Sequence, residues 1–470
     1  MKKIIYVFSM LLSMIGCQDK NVGNTNEVVL TLKGERVVSM SNRSHLWGSP
    51  GLKLEKDSVT GVAEYREVME EPDIFVLRAG SSYGQVYLEP GDCLNMEGLP
   101  NGSFAFEGDS VVVHRARLLQ DLRGVRSRLT DYRRKVALAQ KRGEEYDGKV
   151  VDADEVYATC RVLIAKFKKI EEGRSETFER YLDIDEEYFE ISTQVTLPSY
   201  LNKTYHSFTC QDLSLLAKTM EDANVKEATF SMFYRQMART YMDYLRINDP
   251  ENKMGPGEEY LQNELRLGDY FGEGEVADML RAFNLEMIGF QHYGDTAYQQ
   301  VVKSLPEKWQ PSLECYFEEM TERKGRKITR PVEFPVVEGE TPDGKLVNLK
   351  DFAGKWVFID CWATWCGPCN FEIPYVAHLE HALAGENVVF LGISVDAEKD
   401  REKWREFVKE KGLKGVQILC PDKEQLYAQF GIYGIPHFAL IDPEGRLVMN
   451  RMPRPSSGVP HHLLKAMVKK

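Results

Sequence analysis

The sequence predicts a multidomain chain with a small N-terminal all-β domain, an α-helical middle domain and a C-terminal α/β domain. Three observations carry this. At 470 residues the chain is too long for one ordinary core. Its 43% hydrophobic and 28% charged residues are those of a folded protein. The apolar spacing also changes twice along the chain, from short runs broken by Gly, Pro, Asn and Asp, to three- and four-residue steps, and then to alternating strands and helices. The resulting division is 1–16 signal peptide, 17–27 tether, 28–110 β-rich domain, 111–324 helical domain, 325–335 linker and 336–470 α/β domain.

The first segment reads as a targeting sequence. Lys2 and Lys3 precede an apolar stretch from Ile4 to Ile15 that is too short to span a bilayer. Gly16-Cys17 then puts a cysteine directly after a small residue, and Gln18 to Thr25 is a polar tether. An ordinary secretory signal with an incidental cysteine is the alternative. Either way the chain is expected to leave the cytoplasm, and no later stretch is apolar enough to cross a membrane.

Runs at Val28 to Leu32, Thr60 to Tyr65, Ile74 to Arg78, Gln85 to Leu88 and Cys93 to Met96 predict an antiparallel sandwich or barrel. In the middle region, Val156, Cys160, Leu163, Ile164, Phe167 and Ile170 recur at helical spacing, as do Phe230, Phe233, Met237, Tyr241 and Leu245. Breaks are expected near Glu171 to Gly173, Leu197-Pro198, Asp249-Pro250, Gly255 to Gly257 and Leu305-Pro306. No fixed period emerges, which favours a bundle over a solenoid. A net charge of −12 argues against nucleic acid as a partner, since phosphate binding needs a basic footprint.

Chemistry concentrates in the last domain. Thr341 to Leu349 reads as a hairpin turning at Asp343-Gly344. Trp356 to Ile359 is a buried strand ending at Asp360, Trp365-Cys366-Gly367-Pro368-Cys369 turns, and Phe371 to Ala384 is helical. Two cysteines two residues apart, between a strand and a helix, form a redox arrangement. Cys366 at the helix N-terminus would have its thiolate favoured by unpaired N–H groups and the helix dipole. Cys369, one turn further in and more shielded, is placed to resolve a mixed disulfide. Pro368 suits the first helical turn, and Gly367 permits close backbone approach. Asp360, if buried, would take the proton from Cys369.

Other readings of the pair are weaker. A zinc site needs a second ligand pair, and the adjacent His461 and His462 are poorly placed to supply it. Covalent haem needs His after the second cysteine, where Asn370 stands. No cofactor is called for, and a purely structural disulfide stays open. Cys93, Cys160, Cys210, Cys315, Cys361 and Cys420 show no framework spacing and read as mostly buried thiols, with a bridge between some pair of them left open. Strand alternation turns Cys361 away from the Asp360 face.

The residues Trp362 to Cys369, Glu372, Pro374 and Gly434-Ile435-Pro436 resemble the TlpA-type, AhpC/TSA-like subgroup of the thioredoxin superfamily. The resemblance covers less than a third of the chain. It implies a thioredoxin-like fold for the last domain, a cis Pro436 facing the cysteines, an Ile435 backbone offered to an extended substrate, and proton handling by Glu372. His437, where the family often has Thr, reads as packing. Val86 to Asp92 and Phe106 to Gly108 resemble the β domain that precedes such domains in envelope lipoproteins, and Gly16-Cys17 resembles a lipobox, with Met14 where Leu is more usual; this implies lipidation of Cys17. The function implied is a thiol–disulfide oxidoreductase of the cell envelope, facing the periplasm or the cell surface. Its partners would be protein or peptide thiols, a membrane or envelope electron donor, and the membrane through a lipid anchor. The Gly-Pro spacer favours a reducing role. The alternatives are a thiol peroxidase, with Thr364 two residues before Cys366, and a surface-anchored binding lipoprotein with a vestigial redox domain.

Overall fold

The computed structural model describes residues 26–33, 38–42, 52–141, 146–170, 175–202, 210–248, 266–292, 296–310, 313, 335, 337–420, 422–432, 434–457 and 459–468. The targeting segment, Cys17 and most of the linker lie outside these residues. So do the breaks expected at 171–173, 249–250 and 255–257. The chain forms two compact units, one of residues up to Glu190 with Lys226–Tyr234, the other of Ile191–Val225 with Arg235–Lys470.

In the first unit, β1 (Glu27–Lys33), β4 (Val62–Val68), β7 (Cys93–Gly98) and β8 (Phe104–Gly108) form one sheet in the order β4-β1-β7-β8. A second sheet has the order β3-β2-β5-β6, from β2 (Val38–Asn42), β3 (Leu52–Leu54), β5 (Asp73–Ala79) and β6 (Ser82–Leu88). Alternating residues of both sheets, among them Leu30, Leu32, Phe75, Leu77, Val86 and Leu94, share one core. The sandwich was expected, but it is not wholly antiparallel, because β1 runs parallel to β7. Helix α1 (Ser110–Lys141) packs on β6, β7 and β8, and its Val112, Val113 and Ala116 enter the same core. Helix α2 (Ala153–Phe167) buries Val156, Cys160 and Ile164 as the spacing predicts, and Tyr157 besides, while Ile170 lies past its end and is exposed. Cys93 is disulfide-bonded, an exception that the reading of these cysteines as mostly thiols left room for; Cys160, Cys361 and Cys420 are free and buried.

Helix α3 (Glu176–Asn202) runs through Leu197-Pro198, where a break was expected. It is followed by α4 (Cys210–Ala217), α5 (Met232–Asn248), α6 (Glu275–His292) and α7 (Thr296–Ser304), the last ending at the expected Leu305-Pro306 break. Among the described residues, no helix is long and apolar enough to cross a membrane.

The C-terminal sheet has the order β10-β9-β13-β12-β11-β14-β15. Its hairpin is β9 (Glu338–Glu340) with β10 (Leu346–Asn348), turning at Gly344 with φ 85°, a conformation that suits glycine. Then come β11 (Trp356–Trp362), α8 (Gly367–Ala382), β12 (Val388–Ser394), α9 (Arg401–Lys411), β13 (Val416–Leu419), α10 (Lys423–Phe430), β14 (His437–Ile441), β15 (Leu447–Met449) and α11 (Val459–Met467). β11 to β13 are parallel, and β14 is antiparallel to β11. β13 and α10 were not anticipated. Strand β11 therefore sits between β12 and β14, and its end carries the cysteine motif. Val357, Ile359, Leu391, Ile393, Ala439 and Ile441 join Trp404 and Phe430 in the core beneath it.

Candidate functional site

Cys366 and Cys369 form a disulfide, with Cα atoms 5.3 Å apart. Cys366 is the N-cap of α8 in extended conformation, and its Sγ accepts a hydrogen bond from Cys369 N at 3.1 Å. Asn370 N closes the first helical bond onto Cys366 O at 3.0 Å. Pro368 lies in the first turn, where its missing N–H leaves no bond unmade. The two sulfurs thus sit where backbone donors converge and where negative charge is stabilised. Cys366 is 4% exposed and Cys369 3%, so the expected contrast in shielding is absent in the disulfide form. The surface around them is made by Gly367, Pro368 and the Trp365 side chain, 64% exposed.

The Ile435-Pro436 bond is cis. Ile435 packs partly buried against the core that holds both cysteines, and Pro436 is half-buried. His437 is buried at the start of β14, opposite Cys361 of β11. Burial pushes its pKa down to about 3, the nearby Arg451 charge adds to this, and a hydrogen bond to the Asn450 backbone opposes it. Cys361 is fully buried, and burial together with Asp360 and Cys420 raises its thiol well above the usual value.

Three carboxyls gather around α8. Asp360 on β11 is pushed up to about 8, chiefly by burial and then by the charges of Glu372 and Glu380; its Oδ1 has no hydrogen-bond partner. Glu380 is pushed up to about 7 by burial, against Lys414. Glu372, 1% exposed, is also raised by burial, but Ser456 N and Ser456 Oγ each donate to it at 2.9 Å, and Arg454 Nη1 lies 4.0 Å away. A carboxyl that holds its proton to about pH 8 can exchange that proton at neutral pH.

Sequence reasoning missed two residues that shape the site. Ser456 comes from the turn before α11, and Asp396 follows β12. Asp396, 4% exposed, accepts from Thr364 N at 2.9 Å, Thr364 Oγ1 at 2.8 Å and Ser394 Oγ at 2.8 Å. A short polar residue after a buried strand was the only signal for it. Among the described residues, no group of three or more His, Cys, Asp or Glu could hold a metal ion.

A mixed sheet whose strand β11 runs into a helix capped by a Cys-x-x-Cys disulfide, with a cis proline just before the neighbouring β14, defines a thioredoxin-like domain. Residues 332–449 match the AhpC/TSA family. Among curated proteins, the region is similar to the thiol-disulfide oxidoreductase ResA of Bacillus thuringiensis, 33% identical over 106 residues, which are 23% of this chain and 60% of that protein. It is similar in the same degree to ResA of Bacillus subtilis, 33% identical over 109 residues, 23% of this chain and 59% of that protein. The chain thus spans about 60% of the length of these relatives. The crystal structure of the thioredoxin domain of a thiol-disulfide oxidoreductase from Bacteroides vulgatus is 27% identical, covering 29% of this chain and 96% of that one, with a TM-score of 0.27.

Proposed function

We propose that this protein is a thiol–disulfide oxidoreductase of the cell envelope that exchanges disulfides with protein or peptide clients. The observation that carries the reading is the Cys366–Cys369 disulfide closed at the N-terminus of α8. ResA relatives that carry the name thiol-disulfide oxidoreductase support it.

In the dithiol form, the Cys366 thiolate attacks one sulfur of a client disulfide. A mixed disulfide forms and the client's other sulfur leaves as a thiolate, which takes up a proton. Asp360 in its ionised form takes the proton of Cys369, with Glu372 assisting, and the Cys369 thiolate attacks Cys366 Sγ. The Cys366–Cys369 bond forms, and the second client sulfur leaves as a thiolate that takes that proton back from Asp360. Two electrons and two protons have then passed to the client. The thioredoxin-type Gly-Pro spacer favours this reducing direction, thioredoxin itself lying near about −270 mV. An envelope electron donor restores the dithiol, and lipid on Cys17 holds the chain at the membrane. Ile435 offers its backbone beside the cis Pro436 to the client chain, and exposed Trp365 provides apolar contact at the rim.

The peroxidase alternative draws on Thr364, but its hydroxyl is bound to buried Asp396. The deciding experiment is insulin reduction by the full-length protein and by Cys366→Ser. The reading expects activity in the first and near-complete loss in the second, with Cys369→Ser trapping clients as mixed disulfides. Equal rates in both proteins would overturn it, and so would peroxide consumption without disulfide reduction.

A further inference from the structure

The disulfide fixes where the two sulfurs sit, but that constraint vanishes when the bond is reduced. Something else must keep Cys366 on the helix N-terminus if its thiolate is to be favoured there. The three polar backbone and side-chain groups of Thr364 are all engaged. Its N–H and Oγ1–H go to Asp396 at 2.9 and 2.8 Å, and its carbonyl accepts from Asn370 Nδ2 at 3.3 Å. Asp396 is itself fixed, because its N–H donates to Ser394 Oγ at 3.1 Å and that hydroxyl donates back at 2.8 Å. The adjoining Val395 N bonds Trp362 O at 2.9 Å, which ties this corner to the end of β11. One residue beyond Thr364, Trp365 leads into Cys366, whose N–H bonds Ala363 O at 3.0 Å.

We propose that Asp396 is a positioning residue for the exchange: through Thr364 it holds Cys366 at the N-cap of α8 in the dithiol as well as in the disulfide. The proposal rests on the oxidoreductase reading above. Asp396 touches neither sulfur and acts through the turn. Without it, reduction would free the turn, Cys366 would leave the converging N–H groups, and its thiol would move toward the value of an unassisted cysteine, about 8.5. Charge and geometry pull in opposite directions here. A carboxylate close to a thiolate disfavours it, so if charge were the main effect, removing Asp396 would lower the thiol's midpoint instead.

The test is the pH dependence of iodoacetamide alkylation of the reduced full-length protein, read by mass spectrometry on the peptide containing Cys366. Asp396→Ala is expected to raise the midpoint by about one pH unit, a roughly tenfold loss of thiolate below it. Asp396→Asn keeps an oxygen for Thr364 N–H and offers an amide N–H to the threonine oxygen, and is expected to stay within about twofold of the wild-type rate. An unchanged midpoint in Asp396→Ala, or a lowered one in both variants, would overturn the proposal. Should Asp396→Ala not fold, Thr364→Val is read the same way: a smaller upward shift supports the clamp and no shift ends it. A wild-type midpoint at or above about 8.5 would instead count against the oxidoreductase reading itself.

Discussion

Ser456 and Glu372, 84 residues apart in sequence, meet through two hydrogen bonds of 2.9 Å: the serine N–H donates to one carboxylate oxygen and its O–H to the other. The redox helix is thereby fastened to the turn before α11 at a point one helical turn after Cys369. Burial alone would leave Glu372 neutral well above the usual carboxylate range, and the two donors pull in the other direction.

Ser456→Ala should therefore raise the Glu372 pKa further. A carboxyl whose folded pKa is raised contributes stability below the ordinary carboxylate range and loses it as pH rises through the folded value. The variant should thus be close to wild type at pH 4 and weaker at pH 8, where the ionised carboxylate lacks one donor. The expected deficit is about 1.5–3 kcal/mol for a hydrogen bond to a charged group. Hydrogen exchange of the oxidised protein in peptides of α8, at the two pH values, reads it directly.

Asp360 carries the same sign. Its pKa of about 8 means that the wild type loses this contribution as pH rises from the ordinary carboxyl value through about 8. Asp360→Asn removes the titration, so β11 peptides of the oxidised variant should exchange more slowly than wild type at pH 9 and alike at pH 4. The gain expected is about 1–3 kcal/mol, the usual penalty for a buried polar group without a partner. Client reduction should slow in the same variant, as the proposed role of Asp360 as proton acceptor for Cys369 requires. Faster turnover would count against that role.

These two carboxyls differ in how they could be read from the chain. Asp360 lies in the strand leading into the cysteines, so one local pattern places it, and the hairpin at Asp343-Gly344 was legible for the same reason. Partners brought in by topology were not. Asp396 is 32 residues from Thr364 and Ser456 is 84 from Glu372, and nothing local marks either as a partner of those residues. Short elements failed for a related reason. β13 has four residues and β3 three, too few for a period to register, and the sheets accept them because their neighbours already define the edge. The parallel β1–β7 pairing likewise depends on where the chain returns, not on its composition. Pro198 misled because a proline predicts a helix break locally, whereas α3 continues through it.

Trp365 is 64% exposed at the rim of the site, which is a poor use of a large apolar ring unless something covers it. Trp365→Ala should leave stability within about 0.5 kcal/mol of wild type, as expected for a surface substitution. Reduction of a small disulfide such as oxidised dithiothreitol should be unaffected, while KM for insulin rises several-fold. A parallel loss with both substrates would assign the ring to shaping the turn instead of meeting the client.

In the first unit, Arg115 is 2% exposed and joins Glu89 at 2.6 Å and Asp92 at 2.7 Å, with its guanidinium 5.4 Å from the Tyr87 ring centroid. It fastens α1 to the turn between β6 and β7. Burial pushes Asp92 up to about 6, and Arg115 is the main influence holding it down. Arg115→Met keeps the length of the side chain and removes the charge, so the folded pKa of Asp92 should climb. The stability that a protonated Asp92 contributes is present below the ordinary carboxyl range and lost as pH rises through that raised value. The variant should consequently suffer most above pH 6, by about 3–5 kcal/mol for a buried pair that has lost one partner, and much less at pH 4.5. Hydrogen exchange in β6 and β7 peptides at pH 4.5 and 7.5 separates charge from packing. A deficit that grows with pH follows from the unpaired carboxylates, whereas one that stays flat would mean that Arg115 acts through its contact with the Tyr87 ring.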